Sequence, residues 1–297
     1  MQPHDHDPSH YGKAFAIGIG LNAVFVAIEA WYGWQVQSLA LLADALHNLS
    51  DVGALLLAWA AFAAARMASS RRHSYGWRRG SILASFTNAV ILLLAMGSLS
   101  WEALQRLQTG SDMAATTVIV VAAIGVVINA VTAWLFVAGS KQDLNLRGAF
   151  LHMAADTLVS LGVVVAGLLY LWRGWSWIDP VMSLIIALVV IISTWSLFRR
   201  SLHLLFDGVP EGVDLDAVHN CLLTVPGVVS VHDLHIWALS TSENAVTAHL
   251  VLADAASADD EVLQQATTLL GRQFDIHHAV LQQESAAYAA ACGVACN

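Results

Sequence analysis

A chain of 297 residues that is 57% hydrophobic and only 12% charged cannot be water-soluble throughout, so most of it has to sit in lipid. Its net charge of -9 excludes nucleic acid as a natural partner, because phosphate binding wants a basic face. Cys221, Cys292 and Cys296 are too few for a disulfide scaffold in a chain this long and suit a reducing compartment.

The start of the chain is acidic and histidine-bearing, and Lys13 leads straight into an apolar run. No cleavable signal pattern is present, so residue 1 is expected to belong to the mature chain. Apolar runs at 14–34, 38–65, 82–106, 114–138, 149–172 and 178–199 are each long enough to cross about 30 Å of hydrocarbon. Six spans put both termini on one side. Lys13, Arg66, Arg71, Arg72, Arg78, Arg79, Lys141, Arg147, Arg199 and Arg200 fall on that side, against Arg106 and Arg173 on the other. The positive-inside rule therefore makes the termini cytoplasmic. Trp31, Trp34, Trp101, Trp172, Trp175 and Trp177 lie near the outer ends and read as interfacial anchors. In the sixth span, Asp179 is expected to cap the helix, with Pro180 at its first position.

The second span carries Asp44, His47 and Asp51, and the fifth carries His152 and Asp156. Residues four apart on a helix share a face, and ionisable groups at bilayer depth mark function by default. The second span runs outside to inside and the fifth runs back, so packing them sets His47 level with Asp156 and Asp51 level with His152. Two imidazoles and two carboxylates suit a tetrahedral divalent ion, zinc above all. Interhelical hydrogen bonding would explain one such motif; two matched copies favour a ligand set. Asp44 shares a face with His47 and either receives protons and orients the imidazole or lines the exit; the sequence leaves both open. Glu29 is expected as a solvated residue at the pore mouth. Asn22, Asn88 and Asn129 are further polar residues within spans.

The loop 66–79 is basic and suits anionic lipid head groups; His73 within it is a candidate accessory ligand. Beyond residue 207 the composition turns polar. Helix 213–223, strand 228–238, strand 244–253, helix 259–272 and strand 276–283 predict a small α+β domain with helices on one face of a sheet. Its histidines, His219, His232, His235, His249, His277 and His278, stand near Asp233, Asp275 and Glu284, a composition that favours zinc. The expected organisation is a tail at 1–12, a six-helix membrane domain at 13–206, a metal-binding and dimerisation domain at 207–286 and a tail at 287–297. In that last tail Cys292 and Cys296 are either two metal ligands or two free thiols.

The stretches Ser38 through Asp44 and His47 to Asp51, Tyr75-Gly76-Trp77-Arg78-Arg79, Asn145 through Arg147 and His152 to Asp156, Asp179-Pro180 and Val231-His232-Asp233-Leu234-His235-Ile236-Trp237 together resemble the cation diffusion facilitator family, in its zinc-transporting bacterial branch. The resemblance implies a homodimeric zinc/proton antiporter of the bacterial inner membrane that exports metal from the cytoplasm, with its site at His47, Asp51, His152 and Asp156. It further implies a cytoplasmic ferredoxin-like domain that dimerises and binds zinc through His232, His249, His278 and Glu284, with His235 as a further candidate, and a charge pair between Arg79 and Asp207. Ser81 departs from the acidic residue common after the aromatic-glycine motif. A histidine-rich loop between spans four and five, found in some relatives, is absent, and His4, His6 and His10 are candidates for the same capture role.

Ligands of this kind bind metal only when deprotonated, so metal and protons compete for them. An alternating-access cycle driven by that competition is the expected mechanism, with zinc on the soluble domain acting as a sensor. Two other classes are weighed against it. A membrane metallohydrolase needs an open coordination position, which four protein ligands would close, and no His-Glu-x-x-His motif is present. A bis-histidine haem protein would leave the paired aspartates without a role.

Overall fold

The computed structural model describes residues 9–65, 70–109, 114–137, 144–253 and 260–291. Six long helices come first: α1 (Ser9–Gln35), α2 (Leu39–Ala65), α3 (Gly80–Thr109), α4 (Ala115–Val137), α5 (Leu144–Arg173) and α6 (Ile178–Leu205). Gly80–Thr109, Ala115–Leu135, Phe150–Arg173 and Ile178–Leu205 are apolar and long enough to cross a membrane. α1 and α2 are 27 residues each, a length that also suffices. A helical membrane part is thus followed by a small sheet with helices.

The chain divides into two compact units, Met1–Leu56 with Asn88–Ser196, and Leu57–Thr87 with Leu197–Asn297. The first is held by an apolar cluster to which α2 gives Leu39, Ala40, Leu41 and Ala43, α3 gives Leu92 and Met96, α4 gives Val118 and Ala122, α5 gives Val163, and α6 gives Ile186 and Val190. Lipid supplies no hydrophobic drive between such helices, so close packing has to. Glycine provides it at two places. A Cβ on Gly125 of α4 would stand 2.6 Å from Phe25 Cζ, and one on Gly167 of α5 would stand 2.5 Å from Ile119 Cγ1. The large apolar side chains facing away from this cluster, such as Leu94, Leu158, Leu188 and Ile192, are exposed, as residues that meet lipid should be.

Asp179 does not cap its own helix. α6 begins at Ile178, and the buried Asp179 carboxylate instead accepts from Ser38 Oγ at 2.5 Å, Leu39 N at 3.0 Å and Ala40 N at 3.4 Å at the start of α2.

In the second unit, α7 (Leu215–Leu223) is capped by Asp214, whose side chain accepts from Asp216 N and Ala217 N. β1 (Val228–Ala238), β2 (Asn244–Leu252), α8 (Asp260–Phe274), β3 (His278–Ser285) and α9 (Ala286–Ala291) follow. The sheet order is β1-β2-β3, with β1 and β2 antiparallel and β2 and β3 parallel across α8. Val246, Ala248, Leu250 and Leu252 alternate along β2 into a core shared with Val218 and Leu222 of α7 and Ala266 and Leu270 of α8. The residues between them, Thr247, His249 and the buried Val251, take the opposite face. β3 begins two residues later than the sequence predicts, because Asp275 adopts a left-handed φ of 56° and the turn runs on to His277.

The linker between the two parts of the second unit is tied at several points. Arg79 pairs with Asp207, Arg200 with Glu211, and Arg78 Nη1 donates to Glu243 Oε2 at 3.0 Å. Ser81 has a defined place: its Oγ donates to the Arg78 carbonyl at 3.1 Å and accepts from Thr241 N at 3.1 Å.

Replacing Gly125 by Leu should overpack the α1–α4 contact and cost about 1–3 kcal/mol. The expected result is a lower thermal midpoint of the purified protein in detergent, with helical content unchanged below the transition.

Candidate metal centres

α2 and α5 bring their polar faces together in the first unit. Asp51 Oδ2 lies 3.1 Å from His152 Nε2 and 3.8 Å from His47 Nε2. Asp156 Oδ1 lies 3.5 Å from His47 Nε2, and Asp156 Oδ2 lies 3.7 Å from His152 Nε2. The lower residue of each pair faces the higher residue of the other, as antiparallel helices require. The two imidazoles stand nearly perpendicular, at 80°, with centroids 5.9 Å apart. The Asp156 side chain is 2% exposed and that of His47 18%, against 36% for Asp51 and 41% for His152. The cluster therefore has a closed edge at Asp156 and an open edge at Asp51 and His152. His47 Nδ1 and Asp156 Oδ2 are buried without a hydrogen-bond partner among the described residues.

A second layer of buried polar groups adjoins the cluster. Ser160 Oγ donates to Asp44 Oδ2 at 3.0 Å, and Asn48 Nδ2 donates to Glu29 Oε2 at 3.4 Å. Asp44 and Glu29 are both fully buried, so Asp44 does not line an open exit. Nor is Glu29 the solvated residue expected of it: it lies one turn from Phe25 on the packed face of α1, and Asn48 draws its carboxylate inward. Sequence reading passed over Ser160 and Asn48. Ser160 stands one helical turn beyond Asp156, a spacing that could have flagged it. Asn88, from α3, donates to Ser50 Oγ at 3.0 Å and braces the helix that carries His47 and Asp51.

The sheet of the second unit builds another cluster. His232 and His249 face each other across β1 and β2, with ring centroids 5.0 Å apart. Glu284 of β3, 1% exposed at its side chain, has Oε2 3.0 Å from His232 Nε2 and Oε1 2.7 Å from His249 Nδ1. That second contact lacks hydrogen-bond geometry, since His249 Nδ1 has no hydrogen-bond partner among the described residues. A bulge between His232 and His235 sets Asp233 at a φ of 51°. The turn aims its carboxylate at His235 Nε2, 2.9 Å away, and leaves it 3.6 Å from His249 Nε2.

Other candidates fall elsewhere. His278 does not join this cluster: it shares the Glu284 face of β3 but starts the strand six residues earlier, about 20 Å away, and its ring meets Tyr75 at 5.4 Å. His73 stacks on Trp77 at 4.4 Å. His277 pairs with Asp275 at 2.9 Å in an exposed position, and His219 Nε2 lies 3.3 Å from the Val231 carbonyl. Cys221 is buried in α7, where desolvation pushes its thiol pKa up. His4, His6, Cys292 and Cys296 lie outside the described residues, as does the side chain of His10.

Ligand atoms from Asp51, His152 and Asp156, and likewise from His232, His249 and Glu284, lie within 4.8 Å of one another. Residues 15–206 match the family described as cation efflux transmembrane domain, and residues 210–286 match cation efflux protein, cytoplasmic domain. The chain is 36% identical to the metal cation efflux system protein CzcD of Cupriavidus metallidurans over 95% of its own length and 89% of that protein's. It is 33% identical to the cadmium, cobalt and zinc/H(+)-K(+) antiporter of Bacillus subtilis, covering 96% of this chain and 93% of the relative. It is also 33% identical to the zinc transporter ZitB of Escherichia coli, covering 95% and 91%.

Glu284 accepts from both His232 Nε2 and Gln282 Nε2, the latter at 2.8 Å. Glu284→Ala should orphan these donors in a half-buried site and cost about 1–3 kcal/mol. Denaturant unfolding of the full-length protein in chelator should show the loss, and with metal absent it measures the apo network alone.

Proposed function

Since this chain belongs to the cation efflux family, a family of membrane transporters rather than enzymes, we propose that it is a divalent metal/proton antiporter that exports zinc from the cytoplasm. The observation that carries the reading is the meeting of His47, Asp51, His152 and Asp156. Zinc bound by nitrogen and oxygen at about 2.0–2.2 Å in a tetrahedron holds its ligands roughly 3.3 to 3.6 Å apart. The four histidine–aspartate separations in this cluster run from 3.1 to 3.8 Å, with Asp156 turning a different oxygen to each histidine. Ligand atoms of Asp51, His152 and Asp156 already lie within 4.8 Å of one another, and His47 has to draw in to complete the set. Two carboxylates neutralise it, and the imidazoles supply the borderline-soft nitrogen that favours zinc over Mg²⁺ or Ca²⁺. The names of the relatives, which include cadmium and cobalt, fit a site whose donor set is permissive among later divalent metals.

The chemistry of the ligands supplies the coupling. Imidazole and carboxylate bind metal only with their protons removed, so metal loading releases protons and protonation expels the metal. In the proposed cycle the ion enters while the site opens to the neutral cytoplasm, the bundle changes access, and protons from the other side displace it. Asp44, held by Ser160 beside the cluster, is placed to orient His47 or to pass protons to it. The buried Asp156 edge keeps the site from opening on all sides at once.

The same reading makes the protein a six-crossing chain of the bacterial inner membrane with both termini in the cytoplasm. The 207–286 domain joins two copies, and its cluster of His232, His249 and Glu284 holds zinc that stabilises the dimer and reports cytoplasmic metal. Asp233 and His235 stand at the rim of that cluster, where they can complete the coordination.

Purified protein in sealed liposomes with a zinc dye inside and an imposed pH gradient should show zinc flux. Asp51→Ala should lower that flux at least about 100-fold while leaving the oligomer intact; retained flux removes Asp51 from the site. Metal affinity should also depend on pH with a definite sign. As pH falls below the usual imidazole value of about 6.5, each histidine gains a proton that must leave before metal binds, so affinity should drop by up to about tenfold per pH unit per histidine. Calorimetric titration between pH 6 and 8 checks this. An affinity that is flat across the range overturns the imidazole ligands.

A further inference from the structure

The first four N–H groups of a helix have no partners within it and need water or a cap. At α2 water is not at hand, because Ser38, Leu39, Ala40 and Leu41 are all buried. Each donor is nonetheless accounted for. Leu39 N donates to Asp179 Oδ2 at 3.0 Å and Ala40 N to Asp179 Oδ1 at 3.4 Å. Leu41 N donates to Ser38 Oγ at 3.3 Å, and Ser38 N to the Gly33 carbonyl at 3.0 Å. Ser38 Oγ in turn donates to Asp179 Oδ1 at 2.5 Å. The junction before it is held as well: Gln37 takes a φ of 56°, and its carbonyl accepts from Arg106 Nη1 at 2.5 Å. A carboxylate from α6, 2% exposed, thus performs the N-capping of α2, and its charge sits at the positive end of the helix dipole.

His47 lies eight residues past Leu39, or about 12 Å along the helix. A rotation of α2 by 20° would carry a ligand atom some 6 Å from the axis through about 2 Å. Metal coordination tolerates only about 0.2 Å in bond length. Directed bonds have to set that rotation: Asp44 to Ser160, Asn48 to Glu29 and Ser50 to Asn88 act beside the ligands, and Asp179 supplies those at the start of the helix.

We propose that Asp179 is a positioning residue for the transport site: by capping α2 it fixes the rotation and height at which His47 and Asp51 meet His152 and Asp156. The inference rests on the assignment of those four residues to the metal site. It predicts a graded response, since Asn keeps one oxygen acceptor and Ala keeps none.

The test uses full-length protein in lipid nanodiscs, with His232→Ala and His249→Ala in every sample, the reference included, so that the sheet cluster takes no ion; Co²⁺ is a spectroscopic probe of site geometry and amide hydrogen exchange of the first turn of α2 a probe of the cap. Asp179→Ala should raise exchange at Leu39 and Ala40 at least tenfold, weaken Co²⁺ binding about tenfold or more, and change the intensity of its tetrahedral absorption band. Asp179→Asn should lie within about threefold of the reference in Co²⁺ affinity. Faster exchange with an unaltered Co²⁺ band and affinity would mean that the cap stabilises the helix without positioning the site, and overturns the proposal. Asn as damaging as Ala overturns it too, because the charge of Asp179 and not its acceptor geometry would then matter. Co²⁺ binding indifferent to Asp51→Ala strikes the metal site itself and removes the object of the positioning, whereas the exchange data separately report whether Asp179 caps α2.

Discussion

Everything in the first unit answers to the cost of keeping charged and polar groups in an apolar bundle. Water cannot satisfy such groups there, so most find a partner on a neighbouring helix, although neither side-chain polar atom of the buried Asn129 has one among the described residues. His47, Asp51, His152 and Asp156 supply one another, Asp44 leans on Ser160, Glu29 on Asn48, and Asp179 on the start of α2. These pairings are directional where apolar packing is not. They set which face each helix turns inward and leave the leucine and isoleucine faces outward.

The two histidine-rich clusters reach a similar donor set by different geometry. On the helices, residues one turn apart share a face, so each helix gives one His and one Asp. On the sheet, His232 and His249 are opposite partners on antiparallel strands, and Glu284 comes from the parallel neighbour. A sheet fixes its ligands by register, and a slip of one residue would turn them to the core face. Helices fix theirs by rotation, which is continuous and needs a separate stop. The bulge that twists Asp233 toward His235 and His249 plays a comparable aiming role on β1.

Much of this was legible in the chain. The paired His-x-x-x-Asp spacings identify the face on each helix, and the direction of the spans dictates which residue meets which. The alternation along β2 separates the core from the face that carries His249, and the strand boundaries of β1 match the sequence reading residue for residue. What could not be read depended on partners distant in sequence. Nothing near Glu29 announces Asn48 as its donor, so a carboxylate near a span end reads as solvated when it is in fact enclosed. Asp179 next to Pro180 carries every local mark of a cap for its own helix, yet its bonds go to residues 139 to 141 positions earlier. His278 enters the set only through the family resemblance, and the six-residue separation from Glu284 along β3 leaves it beside Tyr75 instead.

The capping of α2 by a residue on the last membrane helix also bears on how the chain is made. The acceptor for Leu39 N is synthesised 140 residues after the donor, which at 5–20 residues per second is roughly 7 to 28 s of translation. During that interval the first turn of α2 must keep its N–H groups near interfacial water or at the insertion machinery. The cap of α2 is therefore complete only once α6 is in place, so the last of these six helices to be made closes the hydrogen bonding of the second.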